Sequence, residues 1–372
     1  MTGTRDRANR FASSNPANRF GQPRVPIHLR SRQPGICAMA LHVRMWSDAW
    51  KFAVLVLLAG LYLAPASADA QSPRTPRIGV LLAGFPVQSP ETDQFRQGLQ
   101  ALGYAEGRDV TIEWRSAEGN YSHLPQLLAE IIDGQPDIIV VEGTVAALQI
   151  KQANPKIPVV MAVVGDPLAS GLVETLARPG GDMTGLSMMV TDISTKRLEL
   201  LKECIPSLSR VGVLWDASVP WHETTLTVLD RAAIQLGIRT RPVRVAGKDG
   251  IALAFAELRR TRVEAVYVLD SALLGHNVDK LLPLARKARL PVVYGRTAWV
   301  REGALISYSA DFGDMFRRSA KYVDRILKGE KAADLPIEQP VKFELAVNLN
   351  TAKLLKIRIP ASIMERADEV IR

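Results

Sequence analysis

Residues 77–83 read RIGVLLA, a continuous apolar run that contains two β-branched residues. Such a run is typical of a strand buried on both faces of a parallel sheet. The segment after it predicts a helix, because Ser89 can cap it, Pro90 suits its first position and Gly103 can end it. A strand followed directly by a helix is the unit from which α/β folds are built.

The same alternation continues along the chain and occurs in two sets. In the first set, strands are predicted at 110–114, 137–141 and 157–163, with helices at 124–132 and 144–153. A stretch rich in glycine and proline at 165–187 is predicted to be irregular. The second set has helices at 195–204, 223–236, 251–261 and 278–288, and strands at 211–215, 239–245, 265–269 and 291–294. We therefore expect an α/β fold of two Rossmann-like lobes with parallel sheets, joined by a hinge and separated by a cleft.

The predicted division places residues 77–189 in lobe 1 and residues 190–307 in lobe 2. A further helix at 314–328 carries Phe316, Ala320 and Val323 on one face, which must pack on a lobe. We assign about 308–335 to lobe 1 and about 336–372 to lobe 2, the latter capping the lobes.

Composition narrows the class of protein. The chain has 372 residues, of which 47% are hydrophobic and 23% charged, so a disordered or fibrous protein is excluded. Its net charge is +9, but residues 1–70 hold nine Lys/Arg against three Asp/Glu, which leaves 38 against 35 for the rest. A nearly neutral body argues against nucleic acid as a partner. Two cysteines, Cys37 and Cys204, exclude a disulfide framework and any multi-cysteine metal site.

The first seventy residues are interpreted as a targeting segment. Residues 1–44 have no apolar period and are expected to be disordered, or to be a mis-annotated N-terminal extension. Residues 45–70 contain a short positive part, an apolar run at 52–63 and an A-x-A pattern, the three parts of a secretory signal peptide. Cleavage after Ala68 or Ala70 is expected, and with it a periplasmic protein. An uncleaved membrane anchor is the alternative, but the apolar run is short for spanning a bilayer.

The sequence lacks the common catalytic motifs. No G-x-G-x-x-G follows the first strand, no phosphate-binding loop occurs, and no G-x-S-x-G is present. His222 and Glu223 begin like a zinc-protease motif, but Leu226 stands where the second histidine is required. We expect no enzymatic activity, no cofactor and no metal.

A ligand site is predicted where the loops follow the strands, because ligands of open α/β sheets bind at the carboxyl ends of the strands. Thr144 opens a helix whose N–H groups favour a carboxylate, and Asp216 or Asp270 could hold an amine. Each loop alone could be an ordinary turn, and an aromatic ligand could stack on Phe85 or Trp221. The full set of predicted ligand-binding residues is Gly84, Phe85, Glu142, Gly143, Thr144, Gly165, Asp166, Asp216, Ser218, Pro220, Asp270 and Gly295.

Several motifs resemble one family. They are GDP at 165–167, LARPGG at 176–181, TGLS at 184–187, KRLELLKE at 196–203, VGVLW at 211–215, YVDRILKG at 322–329, PVKFELAVNLNTAK at 340–353 and RADEVI at 366–371. In this order they are similar to the ABC-transporter substrate-binding proteins that include tryptophan/tyrosine-type uptake receptors. The resemblance spans residues 77–372.

The resemblance implies a periplasmic binding protein with a type I-like fold. Such a receptor is a monomer that closes on a small solute and delivers it to a membrane permease with its ATPase. One loop departs from the family pattern: Asn-Pro-x-Asn-Pro is replaced here by DASVP at 216–220, so two amides are lost and a carboxylate is gained.

Three function classes are considered. A solute receptor for an amino acid or similar small carboxylate accounts for all these features. A Rossmann-type enzyme shares the fold but needs a fingerprint that is missing. A ligand-sensing regulator could use residues 1–44 as a DNA arm, but that segment has no helix-turn-helix pattern.

Overall fold

The structure is a computed structural model, and it describes residues 74–372. The extension predicted at 1–44 and the signal peptide predicted at 45–70 lie outside the described residues.

The first sheet forms the body of lobe 1. Its strands are β1 (Arg77–Leu82), β2 (Thr111–Ser116), β3 (Ile138–Glu142), β4 (Val159–Val164) and β5 (Met183–Ser187). They are all parallel and lie in the order β2-β1-β3-β4-β5. The connecting helices are α1 (Pro90–Ala101), α2 (Leu124–Asp133) and α3 (Thr144–Ala153). Helix α1 begins as predicted, with the Ser89 hydroxyl accepting a hydrogen bond from the Thr92 N–H.

Helices cover both faces of this sheet, and the strand periodicity of two decides which residue meets which layer. Ile78 and Val80 of β1 belong to the core that includes α1, whereas Leu81 packs in the core with α2 and α3. This double burial explains why β1 reads as an unbroken apolar run.

The second sheet forms the body of lobe 2. Its strands are β6 (Arg210–Asp216), β7 (Arg239–Val245), β8 (Ala265–Val268), β9 (Val292–Tyr294), β10 (Ile306–Ala310), β11 (Phe343–Asn348) and β12 (Glu369–Ile371), in the order β12-β11-β10-β9-β8-β6-β7. Strand β11 runs antiparallel to β10, and all other pairs are parallel. The helices before β10 are α4 (Val190–Cys204), α5 (Trp221–Gln235), α6 (Gly250–Arg260), α7 (Ala272–His276), α8 (Val278–Ala288) and α9 (Thr297–Glu302).

The chain crosses between the lobes three times. It first passes from β5 to α4. After β10, helix α10 (Phe312–Leu327) returns to lobe 1, where Phe316 and Val323 join the core that contains α1. Glu338 then pairs with the edge of β5, its N–H donating to the Gly185 carbonyl, before the chain re-enters lobe 2 at β11. Helices α11 (Leu349–Leu355) and α12 (Ala361–Arg366) complete lobe 2.

Three sequence-based expectations are wrong. The stretch predicted to be irregular ends in strand β5. Its sequence, MTGLS, does not predict a strand because glycine and threonine interrupt the apolar run. Helix α4 starts at Val190 rather than at residue 195, since Val190 and Ile193 are buried and make its first turn part of the core. Residues 343–371 do not simply cap the lobes, because β11 and β12 extend the second sheet.

Candidate functional site

The loops at the carboxyl ends of the two sheets face each other across a cavity. Protein atoms leave about 600 Å³ free there, counting the opening to solvent. Both lobes contribute to the lining: Ala83, Gly84, Phe85, Tyr121, Glu142, Gly143, Thr144, Val145, Val163, Gly165 and Met188 from lobe 1, and Val219, Trp221, Asp270, Ser271, Ala272, Gly275, His276, Tyr294 and Arg296 from lobe 2, with Phe312 of α10. The lining is therefore largely aromatic and aliphatic, with a few charged groups.

The structure brings only part of the predicted set to this cavity. The residues that line it are Gly84, Phe85, Glu142, Gly143, Thr144, Gly165 and Asp270. The predicted residues outside the lining are Asp166, Asp216, Ser218, Pro220 and Gly295.

Local hydrogen bonds explain why the carboxylates of Asp166 and Asp216 do not line the cavity. Asp166 Oδ1 accepts from the N–H groups of Leu168 and Ala169, and its Oδ2 accepts from the Thr191 hydroxyl. Asp216 is buried, and its Oδ1 accepts from the Ser218 N–H at 2.9 Å. Burial raises the pKa of Asp216. Asp166 is therefore bonded to its own loop and to α4, and Asp216 Oδ1 to its own loop, whereas Asp216 Oδ2 accepts no hydrogen bond from residues 74–372.

Ser218 and Pro220 are exposed and lie beside the cavity. Ser218 lines a neighbouring groove with Lys248 and His276, and Pro220 precedes the first residue of α5.

Thr144 and Trp221 join the two lobes. The Trp221 indole N–H donates to the Thr144 hydroxyl at 3.2 Å, and the Gly165 N–H donates to the same oxygen at 3.2 Å. The indole lies so close to Gly165 that a Cβ there would come within 2.5 Å of Trp221 Nε1. Trp221 thus packs into the core of lobe 1 although it belongs to α5 of lobe 2. The lobes are closed on each other at this contact.

Glu142 supplies a carboxylate to the wall formed by lobe 1. Its Oε2 accepts from the N–H groups of Ala83 and Gly84, each at 2.9 Å, and from that of Phe85 at 3.3 Å. Its Oε1 has no hydrogen-bond partner among residues 74–372. Burial raises the pKa of Glu142, and the N–H groups of Gly84 and Phe85 oppose that rise.

Asp270 reaches the cavity from lobe 2, but its charge is already paired. It forms a buried ion pair with Arg197 of α4, whose Nε also donates to the Tyr308 carbonyl. Gly295 makes room for the pair, because a Cβ there would come within 2.1 Å of Asp270 Oδ1 and 2.2 Å of Arg197 Nη2. Gly295 therefore shapes the site from behind the cavity wall.

Arg296 is the cation of the cavity lining. Its Nη2 donates to Glu91 of α1 at 3.0 Å, which forms a second polar contact between the lobes. Its guanidinium carbon lies 4.3 Å from the centre of the Phe85 ring, a cation–π contact. Both partners are in lobe 1, so both contacts of Arg296 form only when the two lobes are close together.

Sequence reasoning missed several residues of the site. Tyr121 comes from a short 3-10 turn at Tyr121–His123, and its hydroxyl accepts from the Leu273 N–H of lobe 2. Phe312 comes from the second crossing between lobes. Tyr121 lies seven residues beyond the strand predicted at 110–114, and Phe312 follows β10, which the sequence pattern does not predict. The KRLELLKE motif was a signal for Arg197, since a charged residue on the buried face of α4 requires a partner.

No group of three or more His, Cys, Asp or Glu side chains within residues 74–372 is placed to hold a metal ion. His222, the start of the zinc-like pattern, is buried instead between two loops of lobe 2. In that same part of the chain, no helix has the length and apolar character needed to span a membrane.

The fold and site define a two-lobed solute-binding protein, and comparison with known proteins gives the family. The family model described as ABC transporter substrate binding protein matches residues 86–371, and the chain belongs to that family. It is a family of binding proteins, and its members are the solute receptors of ABC transporters. The resemblance seen in the sequence is confirmed, as is the type I-like periplasmic binding protein fold.

Individual relatives agree with this assignment. The tyrosine-binding protein of Clostridioides difficile (strain R20291) is 22% identical over 276 residues, which are 73% of this chain and 79% of that protein. The ABC domain from Streptococcus pneumonia solved in complex with L-Trp has a TM-score of 0.73 and 26% identity, covering 80% of this chain and 100% of that one. A conserved domain protein from Vibrio cholerae O1 biovar eltor gives the same four values.

Proposed function

We propose that this receptor binds an amino acid with an apolar or aromatic side chain in the cavity between the lobes. The observation that carries the proposal is that Glu142 lies on one wall of the cavity and Arg296 on the other, inside a lining that is otherwise rich in aromatic rings. An ammonium group suits Glu142 Oε1, and a carboxylate suits Arg296 and the first N–H groups of α3. The aromatic rings suit the side chain.

This arrangement differs from the one expected from the sequence. Asp216 lies outside the lining, and the charge of Asp270 is balanced by Arg197, although Asp270 Oδ1 accepts no hydrogen bond from residues 74–372. Glu142 takes that role in the proposal. The names of two relatives, one described as tyrosine-binding and one solved with L-Trp, support an aromatic amino acid.

The proposal includes the setting in which the receptor works. The protein is directed to the periplasm by the signal peptide at 45–70, closes on its solute, and delivers it to a membrane permease driven by an ATPase. Membership of the family supports these partners.

Calorimetry on a ligand panel tests the ligand class. L-tryptophan, L-tyrosine, L-phenylalanine and L-leucine are compared with tryptamine, which has no carboxylate, with indole-3-propionate, which has no ammonium, and with a polyol. We expect an amino acid to bind at least tenfold more tightly than either truncated analogue, because each loses a charged hydrogen bond. Binding of the polyol without any amino acid would contradict the proposal.

The variant Glu142→Gln tests the position of the ammonium group. It is expected to weaken amino-acid binding roughly tenfold or more, since the amide carries no charge. Glu174→Gln is the matched control, because Glu174 is exposed in the same lobe and forms no ion pair with residues 74–372. If Glu142→Gln binds as tightly as the control, the ammonium group lies elsewhere.

A further inference from the structure

Strand β7 lies at one edge of the second sheet, next to β6, and its exposed surface is strongly basic. It carries Arg239, Arg241 and Arg244, all exposed, around Pro242. Proline and charged residues are typical of edge strands, because they prevent pairing with a second sheet. These arginines, however, are part of a larger basic surface that edge protection alone does not require.

Three more exposed arginines lie at the end of α6 and just after it, and α6 is a helix that packs on β7. They are Arg259, Arg260 and Arg262. Arg210, which lies opposite Arg239 in the sheet, donates from its Nε to the Arg262 carbonyl at 2.8 Å. The end of α6 and the start of β7 are therefore separated only by the width of β6. We call these six arginines the basic edge.

The charge of the basic edge is not balanced locally. Residues 230–264 hold eight Lys/Arg against four Asp/Glu, whereas residues 71–372 as a whole hold 38 against 35. No arginine of the basic edge forms an ion pair with any residue from 74 to 372. The body of the protein is nearly neutral, and its positive charge is concentrated at one edge of lobe 2.

Two exposed aliphatic side chains accompany this charge. Ile234 near the end of α5 is 70% exposed, and Leu253 in the first turn of α6 is 75% exposed. Helices α5 and α6 both pack on β7, so these side chains flank the strand. Aliphatic side chains beside arginines are typical of surfaces that lie on a membrane, where apolar groups enter the headgroup region and cations meet phosphate.

We propose that the basic edge binds an anionic phospholipid surface. Guanidinium groups bind phosphate through paired hydrogen bonds, and six unpaired arginines offer many such donors. Arg239, at the start of β7, and Arg262, just before β8, lie at the amino ends of strands, and none of the six arginines lines the cavity, so the cleft stays free for its solute. This function goes beyond solute binding and does not depend on which solute is bound.

Vesicle co-sedimentation tests the proposal with the full chain. Vesicles of phosphatidylcholine alone give the baseline, and vesicles with one quarter phosphatidylglycerol give the anionic surface, at 50, 150 and 500 mM NaCl. We expect phosphatidylglycerol to increase binding at 50 mM salt and the increase to vanish at 500 mM. The variant R239Q/R241Q/R244Q should lower the partition coefficient onto the anionic vesicles roughly a hundredfold.

A matched control separates the basic edge from net charge. The variant R178Q/K321Q/R358Q removes the same three charges from exposed positions elsewhere and should bind like the parent. The variant I234S/L253S should bind less tightly while keeping its salt dependence. The contribution of residues 1–70 is identical in every variant.

Three results would overturn the proposal. They are no gain in binding from phosphatidylglycerol, an equal loss in the two triple variants, and binding to soluble polyglutamate as tight as binding to the vesicles. The last result would assign the basic edge to an acidic protein partner instead.

Discussion

His222 connects two loops of the cavity wall through both ring nitrogens. Its Nδ1 accepts from the Asp216 N–H at 3.0 Å, and its Nε2 donates to the Asp270 carbonyl at 3.0 Å. This arrangement requires a neutral ring with the proton on Nε2. Burial lowers the pKa of His222 from 6.5 to about 4. The ring therefore stays neutral in the folded protein well below the pH at which an unfolded chain would protonate it.

The stability of the protein should fall in mild acid because of this residue. Between about pH 6.5 and 4 the unfolded chain takes up a proton at His222 and the folded protein does not, so lowering the pH favours unfolding. From pH 7 to pH 5 we expect the free energy of unfolding to drop by about 2 kcal/mol more in the parent than in His222→Gln. Urea titrations at the two pH values measure the difference.

His276 offers the control for that measurement. It is exposed, so His276→Gln should keep the acid sensitivity of the parent. Equal losses of stability in the parent and His222→Gln would mean that the buried ring does not resist protonation.

Helices α1 and α10 show how an element late in the chain completes a lobe that begins early. Their contact is close at Gly98 of α1, where a Cβ would come within 2.6 Å of the Arg317 carbonyl oxygen and 2.9 Å of Ala320 Cβ. Such a short separation between helix backbones needs a residue without a side chain. Gly98 thus allows α10 to pack closely against α1 of lobe 1.

Gly98→Ala should force the two helices apart. We expect a net loss of about 1–3 kcal/mol in the free energy of unfolding, because overpacking outweighs the better helix propensity of alanine. Gly313→Ala on α10 is the matched variant, since its Cβ would meet only side-chain atoms, at 3.3 Å. Denaturant titration of the two variants checks the prediction, and a Gly98→Ala protein as stable as the parent would contradict it.

The elements that the sequence predicts correctly are those whose own residues show an apolar pattern typical of a strand or a helix. Strands β1 and β3 are buried on both faces, so their apolar runs identify them, and Glu142 and Thr144 could be placed because they lie at the end of β3 and just after it. Strand β5 and strands β10 to β12 are not predicted from the sequence, because their positions depend on pairing with distant segments. The side-chain contacts of Asp216 also could not be predicted: its position at the end of β6 is clear from the sequence, but its Oδ1 accepts from the Ser218 N–H.

At the scale of the whole molecule, the contacts between the lobes describe a closed receptor. Trp221 bonds to Thr144, Tyr121 reaches the Leu273 N–H, and Arg296 pairs with Glu91. Each contact exists only while the lobes are together, so each shifts the balance between open and closed forms toward closure. Glu91 does so without lining the cavity, and its effect can be measured apart from direct ligand contacts.

Glu91→Gln should favour the open form. With both partners about one-fifth exposed, the lost ion pair should weaken binding of the tightest amino acid of the panel by about fivefold. Small-angle scattering should show a larger radius of gyration than the parent without added solute, and contraction when the solute saturates the protein. Asp93→Asn is the control, because Asp93 pairs with Arg96 inside α1. Equal affinities in the two variants would exclude a role for the Glu91 contact.

The three crossings also set the order in which this protein can fold as it is synthesised. Lobe 1 needs Phe316 and Leu335 for its core, yet the ribosome makes these residues only after strands β6 to β10 of lobe 2. Lobe 2 in turn waits for Val347 and Ile363. A nascent chain that ends near residue 300 therefore contains neither finished core, and both lobes must mature together near the end of translation.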